Sequence, residues 1–519
     1  KKDFIEEDMG EYFKTIKFSF PSVIQGAVLE YEYTLSSQDL FHPRDWFFQM
    51  DYPSKWSELR INLPKNADYA CIPLGVSSLK NLSQKTPDGT LIYRLMNVPA
   101  IKEEPFVANL SDHYARLTFQ LDRYNGRYFV SSWGTLAREL MYYEGFGGQY
   151  KNIVNARNTL KIIKPLLVKA TSRRDTIDLI YEHLSKTLTW NGNYSRGIGQ
   201  TIDEFYEKKI GSSGALNLTL IALIRGVGLK VNPVLISTRS HGAMNAQYPI
   251  LDQFNHLLAR IEIDSNTQII ADVTDSLHSI DYPKVESLNY RGWMLTDYEP
   301  KWIAIDFPTT TDVMKANLVL SESGALKGTL STMSNGYSAI GSRAALIDQP
   351  DKHWWEERFQ AKSIDIQLDK ITYQNVDNIH HSFKTKMEIQ TTSMTMVSDD
   401  LIYVSPVVYT DLDENPFIAT TRQYNVDFPY PFREIYDLKL TLPENYEVGE
   451  LPESVNIYLR DKGATFKYLV TQKDQKVSIS SSVSIKQAQY TPDDYYALKD
   501  FFDQIASKFN EQVVLRKKT

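Results

Sequence analysis

Three residues in the middle of the chain have the types that acyl-transfer chemistry uses: Ser213, His256 and Asp272. Ser213 falls where a helix-forming run begins. There a nucleophile gains from the positive end of the helix dipole, and the free backbone N–H groups can serve as an oxyanion hole. A histidine held by a carboxylate is the general base such a nucleophile needs. Each residue also has a plainer reading. Ser212 or Ser213 is an ordinary helix N-cap, a role worth about 1 kcal/mol, and His256 with Asp272 can be a hydrogen-bonded structural pair.

The elements that would hold these residues can be read locally. Gly211-Ser212-Ser213-Gly214-Ala215-Leu216-Asn217-Leu218 predicts a helix that starts at Ser212 or Ser213 and runs to Arg225, with Gly226 and Gly228 ending it. Leu216, Leu220, Leu223 and Ile224 share a face, and Leu218 and Ile221 widen it, as expected of a central buried helix. Val231 to Thr238 reads as a strand, and His256 to Asp272 as a β-hairpin. With Asp264-Ser265-Asn266 as a three-residue turn, Glu262 faces Gln268, Ile261 faces Ile269 and Ala259 faces Ala271, so polar meets polar and apolar meets apolar. A two-residue turn would set Glu262 against Ile269. The three-residue register puts His256 and Asp272 on one face, a diagonal step of about 7–8 Å apart at the backbone.

Around this centre the pattern is mostly β. A chain of 519 residues exceeds what one core can bury, so three or four domains are expected. Alternation in Leu29 to Leu35 and the spacing of Pro21, Gly26, Pro43, Pro53 and Pro64 predict a strand-rich first segment, with Trp46, Phe47, Phe48 and Trp56 in its core. Thr135 to Met141 is helical, and Gly145-Phe146-Gly147-Gly148 reads as a turn after it. Ser172 with Asp175 and Thr201 with Glu204 mark two helix starts; Ile177, Ile180, Tyr181, Leu184 and Leu188 line the first of these helices. After about residue 305 strands return, with Tyr436, Leu438, Leu440 and Leu442 alternating against polar neighbours. A helix capped by Thr491, with Pro492 at its first position, forms the last element, and Leu515-Arg516-Lys517-Lys518 reads as a solvated tail.

Composition excludes several classes. The net charge is −7 with no basic block, which argues against nucleic acid as a partner. The single cysteine, Cys71, rules out an internal disulfide and a Cys-rich zinc site; beside Tyr69, Ala70 and Ile72 it reads as a buried small hydrophobe rather than a nucleophile. His380 and His381 are adjacent in a strand-like segment, would face opposite sides, and so cannot share a metal. No cofactor or metal is implied. No apolar run approaches the ~20 residues of a membrane span. The chain opens on Lys1 rather than Met, so removal of a preceding segment such as a signal peptide is expected.

The order of these segments resembles the transglutaminase-like family, a circular relative of the papain-type cysteine protease arrangement. The resemblance rests on Gly211 to Leu229, Val234-Leu235-Ile236-Ser237-Thr238-Arg239, Phe254-Asn255-His256 and Ala271-Asp272-Val273-Thr274-Asp275. The family's catalytic cysteine position falls on Ser213, and Ala215 stands where many members carry an acid. The flanks, Phe18 to Leu35, Trp46 to Pro53, Asn415-Pro416-Phe417 and Leu442 to Leu515, resemble uncharacterised β-domains that bracket such cores in exported proteins of Bacteroidetes-type bacteria. The resemblance implies a multidomain, β-rich protein. Its parts would be an N-terminal β-domain (1–125, lacking its first strands), a helical connector (126–165), a central α+β core (166–305), and β-sandwich-like domains at 306–400 and 401–519, the latter with a terminal helix. It also implies an exported, periplasmic or cell-envelope location, and places Trp190, Asn191 and Asn255 beside the cleft as binding residues.

The departure at Ser213 bears on activity. A helix N-terminus and a histidine can bring a thiol to neutral pKa or below, whereas a serine hydroxyl in the same place stays protonated. Three functions are therefore expected in order: a degenerate protein that binds a peptide or protein without turning it over; an active hydrolase, peptidase or acyltransferase using Ser213, His256 and Asp272; and a structural or assembly protein. An open cleft with a formed oxyanion hole favours the second. An open cleft with the Ser213 hydroxyl turned into its own helix favours the first, and a cleft filled by side chains favours the third.

Overall fold

The computed structural model describes residues 4–8, 14–30, 40, 43–75, 83–128, 132–151, 156–296, 299–459 and 463–519. The molecule is multidomain and β-rich. Residues 1–44 form a unit of their own, in which Phe4–Asp8 pairs antiparallel with Lys14–Phe18, so the segment expected as one domain over 1–125 divides at Arg44. Beyond Glu30 the strand expected over Leu29 to Leu35 lies outside the described residues.

From Asp45 two small sheets pack around Phe48, Tyr93, Leu117 and Phe119. Trp56 is not in that core. It pairs with Met96 across Ser54–Ile61 and Leu91–Val98, both side chains are more than half exposed, and the Arg94 guanidinium stacks on the Trp56 ring at 4.3 Å. The strand's alternation turns Trp56 outward.

The middle of the chain carries the helices. Ser132 caps Trp133–Tyr142. The glycines that follow form a π-helical turn, Glu144–Gly148, continuing into Gln149–Lys151, rather than a loop. The reason is packing: a side chain on Gly147 would strike the Met141 backbone at 2.2 Å. Ser172 accepts from Asp175 N–H to start Arg173–Thr187, and Thr201 with Glu204 forms a reciprocal capping box on Ile202–Lys208. Ser213–Gly226 is buried along nearly its whole length and lies on a five-stranded antiparallel sheet. The sheet order is Gln268–Ala271, His256–Glu262, Val231–Ile236, Arg291–Met294, Lys301–Ala304. The hairpin has the register its polarity dictates, with Glu262 opposite Gln268 and Ala259 opposite Ala271. Its turn is held by Asp264, whose carboxylate accepts from the N–H groups of Asn266 and Thr267 at 2.8 Å each.

The C-terminal region differs from the expected pair of β-domains. Strands from 310–391 and 432–485 share one eight-stranded sheet, joined where Thr310–Leu320 runs parallel to Phe432–Thr441. They also share one core. No local pattern encodes a pairing between strands more than a hundred residues apart, which is why a break near 400 was expected there. The terminal helix, Tyr495–Phe509, buries Leu498, Phe502, Ile505 and Phe509. It is not the last element. Val513–Lys517 follows as a strand between Leu401–Val404 and Tyr446–Glu450, so the tail expected over Leu515 to Lys518 is paired backbone as far as Lys517, with Leu515 fully buried and the Arg516, Lys517 and Lys518 side chains exposed. Among the described residues no helix is long and apolar enough to cross a membrane.

Candidate active site

The structure brings Ser213, His256 and Asp272 into one hydrogen-bonded line. His256 Nδ1 lies 2.9 Å from Ser213 Oγ, and His256 Nε2 lies 3.0 Å from Asp272 Oδ2. The choice of cap decides how Ser213 is used. Ser212 is the N-cap and its Oγ accepts from Ala215 N–H, so Ser213 occupies the first helical position with its hydroxyl turned toward the sheet. The diagonal of the hairpin then delivers the ring and the carboxylate to that hydroxyl.

Asp272 is fully buried and accepts from five donors. These are His256 Nε2, Asn217 Nδ2 at 3.0 Å, Thr274 N at 3.3 Å, Thr274 Oγ1 at 2.8 Å and Ser287 Oγ at 3.1 Å. Burial alone would raise its pKa. The adjoining His256 ring, with hydrogen bonds from His256, Asn217 and Thr274, outweighs burial and holds the carboxyl below the usual carboxylate range. An ionised Asp272 fixes the proton of a neutral His256 on Nε2, leaving the Nδ1 lone pair to accept from Ser213. Base and orienter therefore stand in the geometry that nucleophile activation requires.

Access to the serine is another matter. Ser213 and His256 are both 0 % exposed. The loop after Trp190 straps the helix start. Ser213 N–H donates to Asn193 O at 3.0 Å, Ser195 N–H donates to Ser213 Oγ at 2.9 Å, and Trp190 Nε1 donates to Asn193 O at 2.9 Å. Tyr194 sets its ring edge-on to His256 at 5.0 Å and rests on Trp190. The backbone donor best placed for an oxyanion is thus already bonded within the protein. Three glycines permit this closeness. A side chain on Gly214 would sit 2.7 Å from Gly197 N, Gly197 O and Ser195 Oγ; one on Gly197 would sit 2.7 Å from Gly145 O, and Ile198 N–H donates to that same carbonyl.

The other expected site residues separate. Trp190 forms part of the strap, with the Lys284 ammonium 4.0 Å from its ring. Asn191 is exposed and accepts from Asn193 N–H. Asn255 joins the ends of two strands, its amide oxygen accepting from Thr238 N–H at 2.8 Å and its amide nitrogen donating to Thr238 Oγ1 at 2.9 Å. Residues not foreseen include Asn217, Tyr194, Ser195, Thr274 and Ser287. Asn217 had a readable signal: it lies four residues after Ser213 on an otherwise apolar helix face, where a polar group needs a partner. Cys71 is half-buried in Ala67–Leu74, and burial pushes its thiol up. His380 is in a turn rather than a strand and pairs with Glu182 at 2.8 Å. Among the described residues no group of three or more His, Cys, Asp or Glu side chains is placed to hold a metal ion.

Similarity to other proteins falls in two places. Residues 400–515 match DUF3858, a domain family of unknown function with a solved structure. Over 92 % of this chain and 75 % of the other, the fold resembles a crystal structure from Parabacteroides distasonis described as a "putative protease", with a TM-score of 0.55 and 12 % sequence identity. No curated protein matches the sequence.

Proposed function

We propose that this chain is a transglutaminase-like protein of the cell envelope whose core has lost thiol chemistry and which acts by binding a peptide or protein segment. The observation that carries the loss of turnover is the sealed serine; its hydroxyl faces His256 rather than its own helix, so the binding role rests on the fold resemblance. Ser213 has no exposed surface, and its own N–H is bonded to Asn193 O. A substrate carbonyl would find no route to Oγ, and the Ser213 N–H that could meet its developing charge is already bonded. The hydroxyl is also a far weaker acid than the thiol such a pocket suits. The protease description of the Parabacteroides structure supports a cleft of peptide-binding type, and the envelope location follows from the sequence resemblance.

One observation favours a second reading, an active serine hydrolase: the unbroken Ser213–His256–Asp272 line, at 2.9 and 3.0 Å. In that case His256 Nδ1 would take the Ser213 proton as Oγ attacks, after the strap had lifted. The packing of Tyr194 over His256 equally suits a protein that uses this domain as a scaffold for assembly.

Intact-mass analysis after fluorophosphonate treatment separates these readings. The expected result is no adduct on the wild type, together with co-elution of bound peptides whose masses are unchanged. A phosphonate adduct on Ser213 that disappears in His256→Ala would make the protein a working hydrolase and overturn the proposal. Peptides that neither bind nor change would favour the assembly role. Fractionation of the producing cell tests the location.

A further inference from the structure

A large cavity lies far along the chain from the triad, in the C-terminal region. It measures about 1100 Å³, opens to solvent, and is bounded by the eight-stranded sheet, the helices Gly336–Asp348 and His353–Ala361, the 407–416 loop and the terminal helix. Two acids project from its floor. Asp312 and Glu434 are direct partners in the one parallel pairing of that sheet, so their side chains leave adjacent strands, about 4.8 Å apart, on the same face. Trp354, Trp355, Tyr409, Tyr430 and Phe428 contribute to the wall.

The cations lining the cavity are already taken. Arg358 donates to Tyr409 and Asp411, with its guanidinium 4.6 Å from the Tyr409 ring and 5.2 Å from that of Trp355. Lys362 pairs with Asp413 at 2.5 Å. Asp312 has the hydroxyls of Ser334 and Ser338. Glu434 has neighbouring charge but no hydrogen-bond donor among the described residues, and burial, with Asp312 and Asp411 close by, pushes it up to about 8 against the pull of Arg358. A half-buried carboxyl without a donor is disfavoured in its charged form, and its neutral form leaves a second acid beside it. Arg358 shows how this wall accommodates an organic cation: ring faces on its sides and a carboxylate at its end.

We propose that this cavity binds an organic cation, an ammonium or guanidinium head on an apolar stem such as a lysine or arginine side chain presents, with Asp312 and Glu434 pairing the head and the aromatic wall covering the stem. The site is independent of the triad and of the function proposed for it.

Pentylamine is the probe, with pentan-1-ol as its neutral counterpart of similar shape, and binding is followed by saturation-transfer NMR on the full chain. Saturable binding of pentylamine is expected, at least tenfold tighter than that of pentan-1-ol. Glu434→Gln, which keeps the shape, should weaken it tenfold or more. Asp312→Asn should do likewise, and Asp437→Asn, on the other face of the same strand, should leave it unchanged. Equal binding of amine and alcohol would mean an apolar cavity only and would overturn the proposal. So would pentylamine binding untouched in both Glu434→Gln and Asp312→Asn, or displacement of pentylamine by equimolar calcium, which would point to an inorganic ion.

Discussion

Asp272 is fully buried and Glu434 only half-buried, and the two carboxyls are held in opposite states. Asp272 receives five hydrogen bonds and is kept ionised; Glu434 receives none from the described residues and is pushed up to about 8. The deeper carboxyl is the ionised one, so depth alone does not set the state. The difference lies in what the surrounding elements supply. A helix with Asn217 one turn after Ser213, a hairpin end with Thr274 and a 3₁₀ turn with Ser287 all converge on Asp272. Two neighbouring strands place a second acid beside Glu434. One arrangement is finished within the chain, while the other is left open to a partner.

Asp272→Ala should have the largest effect, because it leaves His256, Asn217, Thr274 and Ser287 with lost bonds. A loss of about 3–5 kcal/mol is expected in denaturant unfolding. A cost below about 1 kcal/mol would erase the contrast.

The two acids should also respond to pH with opposite sign. The folded pKa of Glu434 is raised, so its contribution is present below the ordinary carboxylate value and is lost as pH rises toward and through about 8. Glu434→Gln should therefore be more stable than wild type at pH 9, by on the order of 1–3 kcal/mol, with the gap closing at pH 4. The folded pKa of Asp272 is depressed, so its contribution is present above the ordinary carboxylate value and is lost as pH falls through the folded one. Melting curves of wild type, Glu434→Gln and Asp272→Asn across pH 3 to 9 read both, and parallel curves would contradict both assignments.

Gly214→Ala sharpens the comparison from the side of access. Its methyl group would wedge against Gly197 and Ser195, at a cost of about 1–3 kcal/mol. In a Ser213→Cys background it should speed alkylation by iodoacetamide severalfold, read by mass; unchanged rates would mean that the strap does not limit access. The smallest effect expected is that of Ser212→Ala, about 1 kcal/mol from the lost cap. An effect of zero would return the capping role to Ser213.

Much of the site could be read from the sequence because its determinants are local. The hairpin register follows from matching Glu262 with Gln268 and Ile261 with Ile269, and Thr201 with Glu204 announces its own helix. Whether Ser212 or Ser213 is the cap was undecidable, since adjacent serines differ only in which one meets Ala215 N–H. The strap was invisible for a different reason. Its closure depends on Tyr194, Ser195 and three glycines reaching across sequence gaps, and no periodicity marks such contacts. Trp56 misled because an aromatic residue fits either face of a half-buried strand.

The parallel pairing of Thr310–Leu320 with Phe432–Thr441 also bears on biogenesis. A ribosome delivers the first of these strands long before the second, and until the second arrives that edge lacks its ladder partner along ten positions. The region matching DUF3858 begins at residue 400, inside the span that separates the two. A fragment cut at that boundary would carry half a sheet on each side, each with a raw edge of the kind that recruits other chains. The unit that folds here is accordingly larger than the unit that sequence families delimit.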